Sequence, residues 1–448
     1  MPLAEQACNQ RIRPVTAHVN SHGRWELGGC DLAELARTYG TPLYVMDEDT
    51  LRTAARTYLD ALKAHYPGPS EVLFASKALC NMAINRLLHD EGLATEVVSG
   101  GELFTALKAG IPPERIHFQG NNKSPEEIRL ALEEGIGRFM VDNLDELHQL
   151  SAIAKKLGVT PQLLLRITPG VEAHTHEYVR TGHVDTKFGF DLPHQLDEAL
   201  RHVVANPHLQ FMGLQAHIGS QIFDIEPFLL NVDVLLDWSS RIEQTYGLSV
   251  AELDVGGGLG IAYTGEDDPP AIADVIAAIA ERVQTGCAAR GLKLPKLMVE
   301  PGRSIVGTAG VTVYTVGTRK DIPGVRTYLS VDGGMPDNPR PITYGARYAA
   351  DPVQTGECYE TVTLAGKCCE SGDVLITDLK LPKMAAGELV VLWGTGAYCY
   401  SMASNYNRLG RPAMVLVSDG RADVIAERET LADLVARDRL PLRLGGSR

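Results

Sequence analysis

The sequence predicts an α/β protein with a β-rich companion: a (β/α)8 TIM-type barrel and a C-terminal β-domain that also takes in the N-terminal segment. Three observations lead there. A chain of 448 residues has room for two large domains. Between residues 71 and 302, eight short apolar or β-branched runs alternate with amphipathic stretches. Beyond residue 310 short runs are broken by Gly and Pro turns, with no long helical pattern until 396–405.

The eight runs are 71–77 (EVLFASK), 94–99 (ATEVVS), 115–120 (RIHFQG), 137–143 (GRFMVDN), 162–168 (QLLLRIT), 211–219 (FMGLQAHIG), 252–257 (ELDVGG) and 296–302 (KLMVEPG). Helix-like segments such as 82–89 and 101–109 separate most of them. Eight strand-then-helix units fit a closed barrel better than an open sheet, and in such a barrel the strand C-termini share the face that carries active sites. In the second region the strand-like runs are 310–315, 325–332, 360–365 and 388–393. The expected domains are an N-terminal segment (1–41) joining the β-domain, the barrel (42–310) and the β-domain (311–448).

Composition excludes several classes. Apolar residues make up 44% and charged residues 22%, as in an ordinary globular protein. The net charge of −14, spread along the chain, argues against nucleic-acid binding. No run of 18 apolar residues suggests a membrane span, and Met1-Pro2-Leu3-Ala4-Glu5-Gln6 lacks the basic and apolar regions of a signal peptide. Eight scattered cysteines without a CxxC pair do not form a disulfide framework or a metal site, so a cytoplasmic, reducing location is expected.

The ends of the runs carry the chemistry. Lys77 closes the first, where desolvation would lower its pKa and free the amine for Schiff-base formation; a solvated strand-end lysine fits the same position. His217 ends the sixth, suited to stack on a flat ring or move protons, with Ser220 close behind to hold an anion; a buried structural histidine is the alternative. Gly256, Gly257 and Gly258 follow the seventh and can offer backbone N–H groups as an anion nest or form a plain turn. Glu300 follows the eighth, where a carboxylate could keep a pyridine nitrogen protonated or pair with Arg303. Arg303 and Arg340, with Tyr344 nearby, could clamp a carboxylate. Cys369 and Glu370 could supply a proton donor and an ammonium acceptor. Tyr398, placed at a helix start, suits a phosphate or carboxylate. Lysine, histidine, glycine nest and glutamate in that order fit a flat cofactor with an aldehyde, a phosphate and a basic ring nitrogen: pyridoxal 5'-phosphate.

With these residues in place, the chain resembles the fold-type III pyridoxal-phosphate decarboxylases (the alanine racemase-like fold), and among them the diaminopimelate decarboxylases. The resemblance covers residues 42–430 and rests on nine motifs in family order: FASK (74–77), VVSGGEL (97–103), GNNKS (120–124), HIGSQ (217–221), GGGLG (256–260), EPGRS (300–304), VDGGM (331–335), CESGD (369–373), and GAY (396–398) with Tyr406-Asn407. It implies that Lys77 carries the cofactor, His217 stacks on its ring and Glu300 contacts the ring nitrogen. The phosphate would be held by Ser220, Gly257, Gly258, backbone groups near Gly302 and Arg303, and Tyr398. Arg303, Arg340 and Tyr344 would bind the distal carboxylate of meso-diaminopimelate, Glu370 its distal amine, and Cys369 would donate the proton. The family pattern also implies a homodimer in which the CES segment reaches the active site of the neighbouring subunit. Glu96 departs from the pattern, standing where aspartate is usual, as does the doubled Cys368-Cys369; Lys367 has no reading.

The implied reaction is decarboxylation of meso-2,6-diaminopimelate to L-lysine and carbon dioxide, the last step of lysine biosynthesis. A racemase is disfavoured by Glu300, because alanine racemases place an arginine against the ring nitrogen. Decarboxylases of ornithine, arginine or lysine remain an alternative, although Glu370 and Arg340 favour a substrate with a distal carboxylate and amine. A catalytically silent regulatory homologue is opposed by Lys77 and Cys369, and a small barrel-only relative by the β-domain.

Overall fold

The computed structural model describes residues 6–171, 185–357 and 359–445. Residues 1–5, on which the signal-peptide reading rests, and Cys358 lie outside the described residues. The chain divides into two compact units. One comprises the described residues of Met1–Ile12 and Thr50–Thr308; the other comprises those of Arg13–Asp49 and Ala309–Arg448.

The first unit is a closed barrel of eight parallel strands in chain order: Ser70–Ala75, Ala94–Val97, Ile116–Phe118, Arg138–Val141, Gln162–Arg166, Gln210–Gln215, Glu252–Asp254 and Lys296–Val299. Each coincides with one of the eight runs. The runs are apolar without strict alternation because both faces are covered, one by the barrel interior and one by helices. Leu73, Ala94, Met140, Leu164 and Met298 fill the interior, with Met212 against them. The turns into the helices are set by short polar side chains. Asn81, Ser99, Ser124 and Asn143 each accept hydrogen bonds from backbone N–H groups of the helix they precede. At the strand N-termini, buried Glu71 pairs with Arg115 and, at 2.5 Å, with Lys296, while Glu252 pairs with Arg138 at 2.7 Å. Charged pairs thus line the end opposite the strand C-termini.

The second unit is built on a nine-stranded sheet. Its main path runs Val374–Pro382, Tyr359–Ala365, Arg326–Val331, Gly310–Ile322, Leu43–Asp47, Ala413–Ser418 and Arg421–Ala426; Leu389–Trp393 also pairs with Gly310–Ile322, and Ala350–Pro352 pairs with Leu389–Trp393. A separate three-stranded sheet joins His18–Val19, Trp25–Leu27 and Cys30–Asp31. The four runs expected here are all strands.

Three expectations are corrected. Residues 43–47 belong to the sheet and not to the barrel: all five are buried, and they pair with Gly310–Ile322 on one side and Ala413–Ser418 on the other. The short turn Cys8–Gln10 belongs to the barrel unit and not to the β-domain. Buried Asn9 donates to the carbonyls of Gly260 (3.3 Å) and Pro270 (2.9 Å), and its own carbonyl accepts from the Ala262 N–H. Residues 396–405 form no helix beyond one 3-10 turn at Tyr400–Met402, because Tyr398 takes a left-handed backbone (φ +62°) that ends helical geometry at once. Among the described residues no helix is long and apolar enough to cross a membrane.

Leu164 is fully buried in the barrel interior. Leu164→Ala is expected to cost about 2–5 kcal/mol in urea unfolding of the whole chain.

Candidate active site

The lysine is held in a defined place. Lys77 lies in a 3-10 turn, Ser76–Ala78, immediately after the first strand. The Ser76 hydroxyl donates to Glu102 Oε2 (3.0 Å), and the Val98 N–H donates to the same oxygen (2.8 Å). The glutamate of VVSGGEL therefore joins the lysine turn to the loop after the second strand. Lys77 Nζ lies 3.4 Å from Oε1 of Glu96, a buried residue of the second strand. A surface lysine needs no such carboxylate behind it.

Glu300 is 4% exposed, and both of its carboxyl oxygens are engaged. Gln119 Nε2 donates to one at 2.5 Å and Gln215 Nε2 to the other at 3.0 Å. These two amides come from the ends of the third and sixth strands. Asp254 is a close carboxyl neighbour of Glu300 and accepts from the Gly256 N–H (2.9 Å). Burial, then the neighbouring carboxylates Asp254 and Glu96, push the Glu300 carboxyl well above the usual range. Burial pushes Asp254 up to about 7.

His217 Nδ1 accepts from the Gly257 N–H (3.2 Å), which places the ring proton of the neutral imidazole on Nε2. Desolvation, then Lys77 and Arg166, hold its pKa well below the ordinary value, so the ring is neutral.

The glycine loop is shaped by close backbone approach. A Cβ on Gly257 would sit 2.1 Å from the Glu300 carbonyl oxygen, and one on Gly258 (φ +116°) 2.5 Å from that of Gly219. Gln221 clamps this loop from the sixth-strand side: its amide donates to the Ile261 carbonyl (2.7 Å) and accepts from the Ile261 N–H (3.2 Å). Beside the loop, Arg303 donates to the Ser220 hydroxyl from Nε (3.2 Å) and Nη2 (2.8 Å), and to the Tyr263 hydroxyl from Nη1 (2.6 Å). The guanidinium and the Ser220 hydroxyl thus share one spot beside bare backbone, an anion-binding composition. Gly302 precedes Arg303 as the cap of the short helix Arg303–Val306.

In the sheet unit, Arg340 opens the helix Arg340–Tyr344 and donates from Nη1 to the Tyr348 hydroxyl (2.7 Å). Cys369 and Glu370 are exposed. Asp373 organises their loop: it accepts from the N–H groups of Met335 (2.7 Å) and Cys368 (2.9 Å), while Cys369 N–H donates to Asn407 Oδ1 (2.9 Å). A Cβ on Gly334 or Gly366 would strike the Asp373 carboxyl at 2.4 and 2.2 Å, so VDGGM and CESGD are two sides of one contact. The doubled cysteine separates into unlike thiols. Cys368 faces Asp373, and its pKa is pushed up to about 12 by desolvation and that carboxylate; Cys369 is the exposed one.

The structure therefore groups Lys77, His217, Ser220, Gly257, Gly258, Glu300, Gly302 and Arg303 on the barrel, and carries Arg340, Tyr344, Cys369, Glu370 and Tyr398 on the sheet unit. Gln119, Gln215, Asp254 and Tyr263 are site neighbours that the sequence did not single out. Asp254 alone had a signal, as the residue opening the glycine loop. Lys123 of GNNKS is structural: it is buried, and its Nζ donates to the Gly120 and Met140 carbonyls and, at 2.7 Å, to Glu146.

A barrel with this rim defines a class, the pyridoxal-dependent decarboxylases, and residues 49–307 match the family described as "Pyridoxal-dependent decarboxylase, pyridoxal binding domain". The chain is 49% identical to a diaminopimelate decarboxylase of Synechocystis sp., covering 98% of this chain and 96% of that one. It is 48% identical to the diaminopimelate decarboxylase of Bacillus subtilis, covering 96% and 98%. Among solved structures, the diaminopimelate decarboxylase of M. jannaschii in complex with L-lysine superposes with a TM-score of 0.91 at 36% identity, covering 98% of this chain and 100% of that one. The chain belongs to the diaminopimelate decarboxylase family, carbon–carbon lyases of the carboxy-lyase type.

The neutral state of His217 has a stability consequence. Its folded pKa is depressed, so below about pH 6.5 the unfolded chain binds a proton that the folded chain does not. Relative to His217→Gln, the wild type is expected to lose up to about 1.4 kcal/mol per pH unit below that point. Urea midpoints of both proteins from pH 7.5 to 5.5 check the difference, in which the other titrating groups cancel.

Proposed function

We propose that the chain binds pyridoxal 5'-phosphate at the barrel rim and decarboxylates meso-2,6-diaminopimelate to L-lysine and carbon dioxide, the last step of lysine biosynthesis. The observation that carries this is the rim itself: a lysine amine, a neutral imidazole, an arginine–serine anion site on a glycine loop and a buried carboxyl, at the ends of the first, sixth, seventh and eighth strands. These residues fit the cofactor. Its phosphate needs the donors that Ser220 and Arg303 bring beside the glycine loop, and its basic ring nitrogen needs a buried carboxyl such as Glu300. When bound, the cofactor supplies an aldehyde for amines and a ring that takes up an electron pair.

Each residue then has a task. Lys77 anchors the cofactor, and Glu96, 3.4 Å from its Nζ, steadies the amine and exchanges its proton. His217, neutral, would stack on the cofactor's ring without adding charge. Ser220, Gly257, Gly258, Gly302, Arg303 and Tyr398 hold the phosphate. Glu300, fixed by Gln119 and Gln215, keeps the ring nitrogen in its N–H form. Arg303, Arg340 and Tyr344 bind the distal carboxylate of the substrate, and Glu370 binds the distal ammonium. Cys369 delivers its thiol proton to the α-carbon once carbon dioxide has left; Cys368, turned to Asp373, is not the donor. We read the working assembly as a homodimer in which Cys369 and Glu370 of one copy serve the other copy's site; their exposure in the single chain supports this. A cytoplasmic location accords with the seven described cysteines, which form no disulfide among themselves.

Purified protein with added pyridoxal phosphate is offered meso-diaminopimelate, L-ornithine, L-arginine and L-lysine in parallel. Carbon dioxide release from diaminopimelate alone, with lysine as product, is expected. Release from ornithine instead would overturn the roles of Arg340 and Glu370. Glu370→Ala is expected to lower kcat/KM for diaminopimelate about 10- to 100-fold, mainly through KM, with cofactor retention unchanged, as suits loss of one hydrogen bond to a charged group.

A further inference from the structure

Among the buried carboxyl groups of the barrel, three act on one another near the strand C-termini: Glu96 on the second strand, Asp254 on the seventh and Glu300 just past the eighth, with 1%, 0% and 4% exposure. Among the described residues, fewer cations than carboxylates stand beside them. Lys77 stands by Glu96. Arg166 is paired with Asp142 at 3.6 Å, and Glu252, which adds repulsion to Asp254 from the same strand, is taken by Arg138. His217 is neutral. The donors are also too few. Glu300 receives two amides and Asp254 one backbone N–H, but Asp254 Oδ2 and Glu96 Oε2 meet no amide or hydroxyl donor among the described residues. A buried carboxylate without a partner costs several kcal/mol, and two apposed carboxyls that cannot both ionise hold one proton between them.

We propose that Asp254 and Glu300 share one proton in the cofactor-free protein, and that this proton passes to a pyridine-type ring nitrogen docking against Glu300, which makes Asp254 a positioning residue for the protonated ring. In the transfer the Glu300 O–H bond breaks and an N–H bond forms with the nitrogen lone pair. The two carboxylates then face a ring cation in place of a shared proton, and none is drawn from solvent. The inference deepens the cofactor reading of this rim and, for the delivery step, rests on it.

Two measurements test it. The first needs no cofactor. Infrared spectra of the cofactor-free protein at pH 7.5 are expected to show the carbonyl stretch of a protonated carboxyl, lost in Glu300→Gln and in Asp254→Asn. Absence of that band in the wild type would overturn the shared proton and leave the functional reading standing. The second measures protons exchanged with solvent on pyridoxal phosphate binding, by calorimetry in buffers of different ionisation enthalpy. Asp254→Asn frees Glu300 to ionise, so the variant is expected to take up about one more proton per site than the wild type. The 15N shift of the labelled ring nitrogen is expected to titrate at lower pH in the variant and to be restored by Asp254→Glu. Equal proton counts and equal 15N titrations, with the variant shown folded by its urea midpoint, would overturn delivery through the pair. If Asp254→Asn does not fold, the same two readings on Glu300→Gln decide. A chain that shows the band but binds no pyridoxal phosphate would overturn the functional reading and the delivery step together.

Discussion

Pairing of the eighth barrel strand with the first sets everything else in the barrel unit. Val299 lies beside Val72, the Leu297 N–H reaches the Pro69 carbonyl, and the Ala75 N–H reaches the Pro301 carbonyl. That closure sets the turn carrying Lys77 next to the loop carrying Glu300, two positions more than two hundred residues apart in the chain. The helical crossovers between successive strands give all eight the same direction, so that each C-terminal residue faces one rim. The charged pairs of Glu71 and Glu252 close the opposite end, where chemistry is not wanted.

Closure also explains what could and could not be seen in the sequence. The eight strands were legible because strands covered on both faces are written as short unbroken apolar runs. Lys77, His217 and Glu300 were legible because polar groups that end such runs have few structural reasons to be there. Gln119 and Gln215 were not, since a single glutamine after an apolar run has no spacing that ties it to a glutamate far along the chain. Only the closed barrel turns both amides onto one carboxyl. Tyr263 and Asn9 were hidden for the same reason. In the sheet unit, Val374–Pro382 escaped notice because it mixes charged and apolar residues around Asp378, which takes a left-handed backbone. The left-handed turn at Tyr398 has no signature of its own, and its glycine neighbours read as readily as a helix start.

The sheet unit shows how one buried side chain can account for separate motifs. Asp373 fixes the loop bearing Cys369 and Glu370, demands glycine at 334 and 366, and draws Cys368 away from the surface. The conspicuous residues of that loop are the exposed pair; the residue that gives the pair its place is the aspartate behind them.

The strand Leu43–Asp47 carries a burden of timing. It is central in its sheet, and all five of its residues are buried, yet its partners begin at Gly310 and Ala413. On a ribosome adding about 5–20 residues per second, it emerges and then waits tens of seconds while the whole barrel is made. Through that interval an apolar strand with two unpaired edges is present on the nascent chain, next to a barrel that can already be closing. The order of synthesis therefore leaves this five-residue segment in need of protection until both of its partner strands have been made.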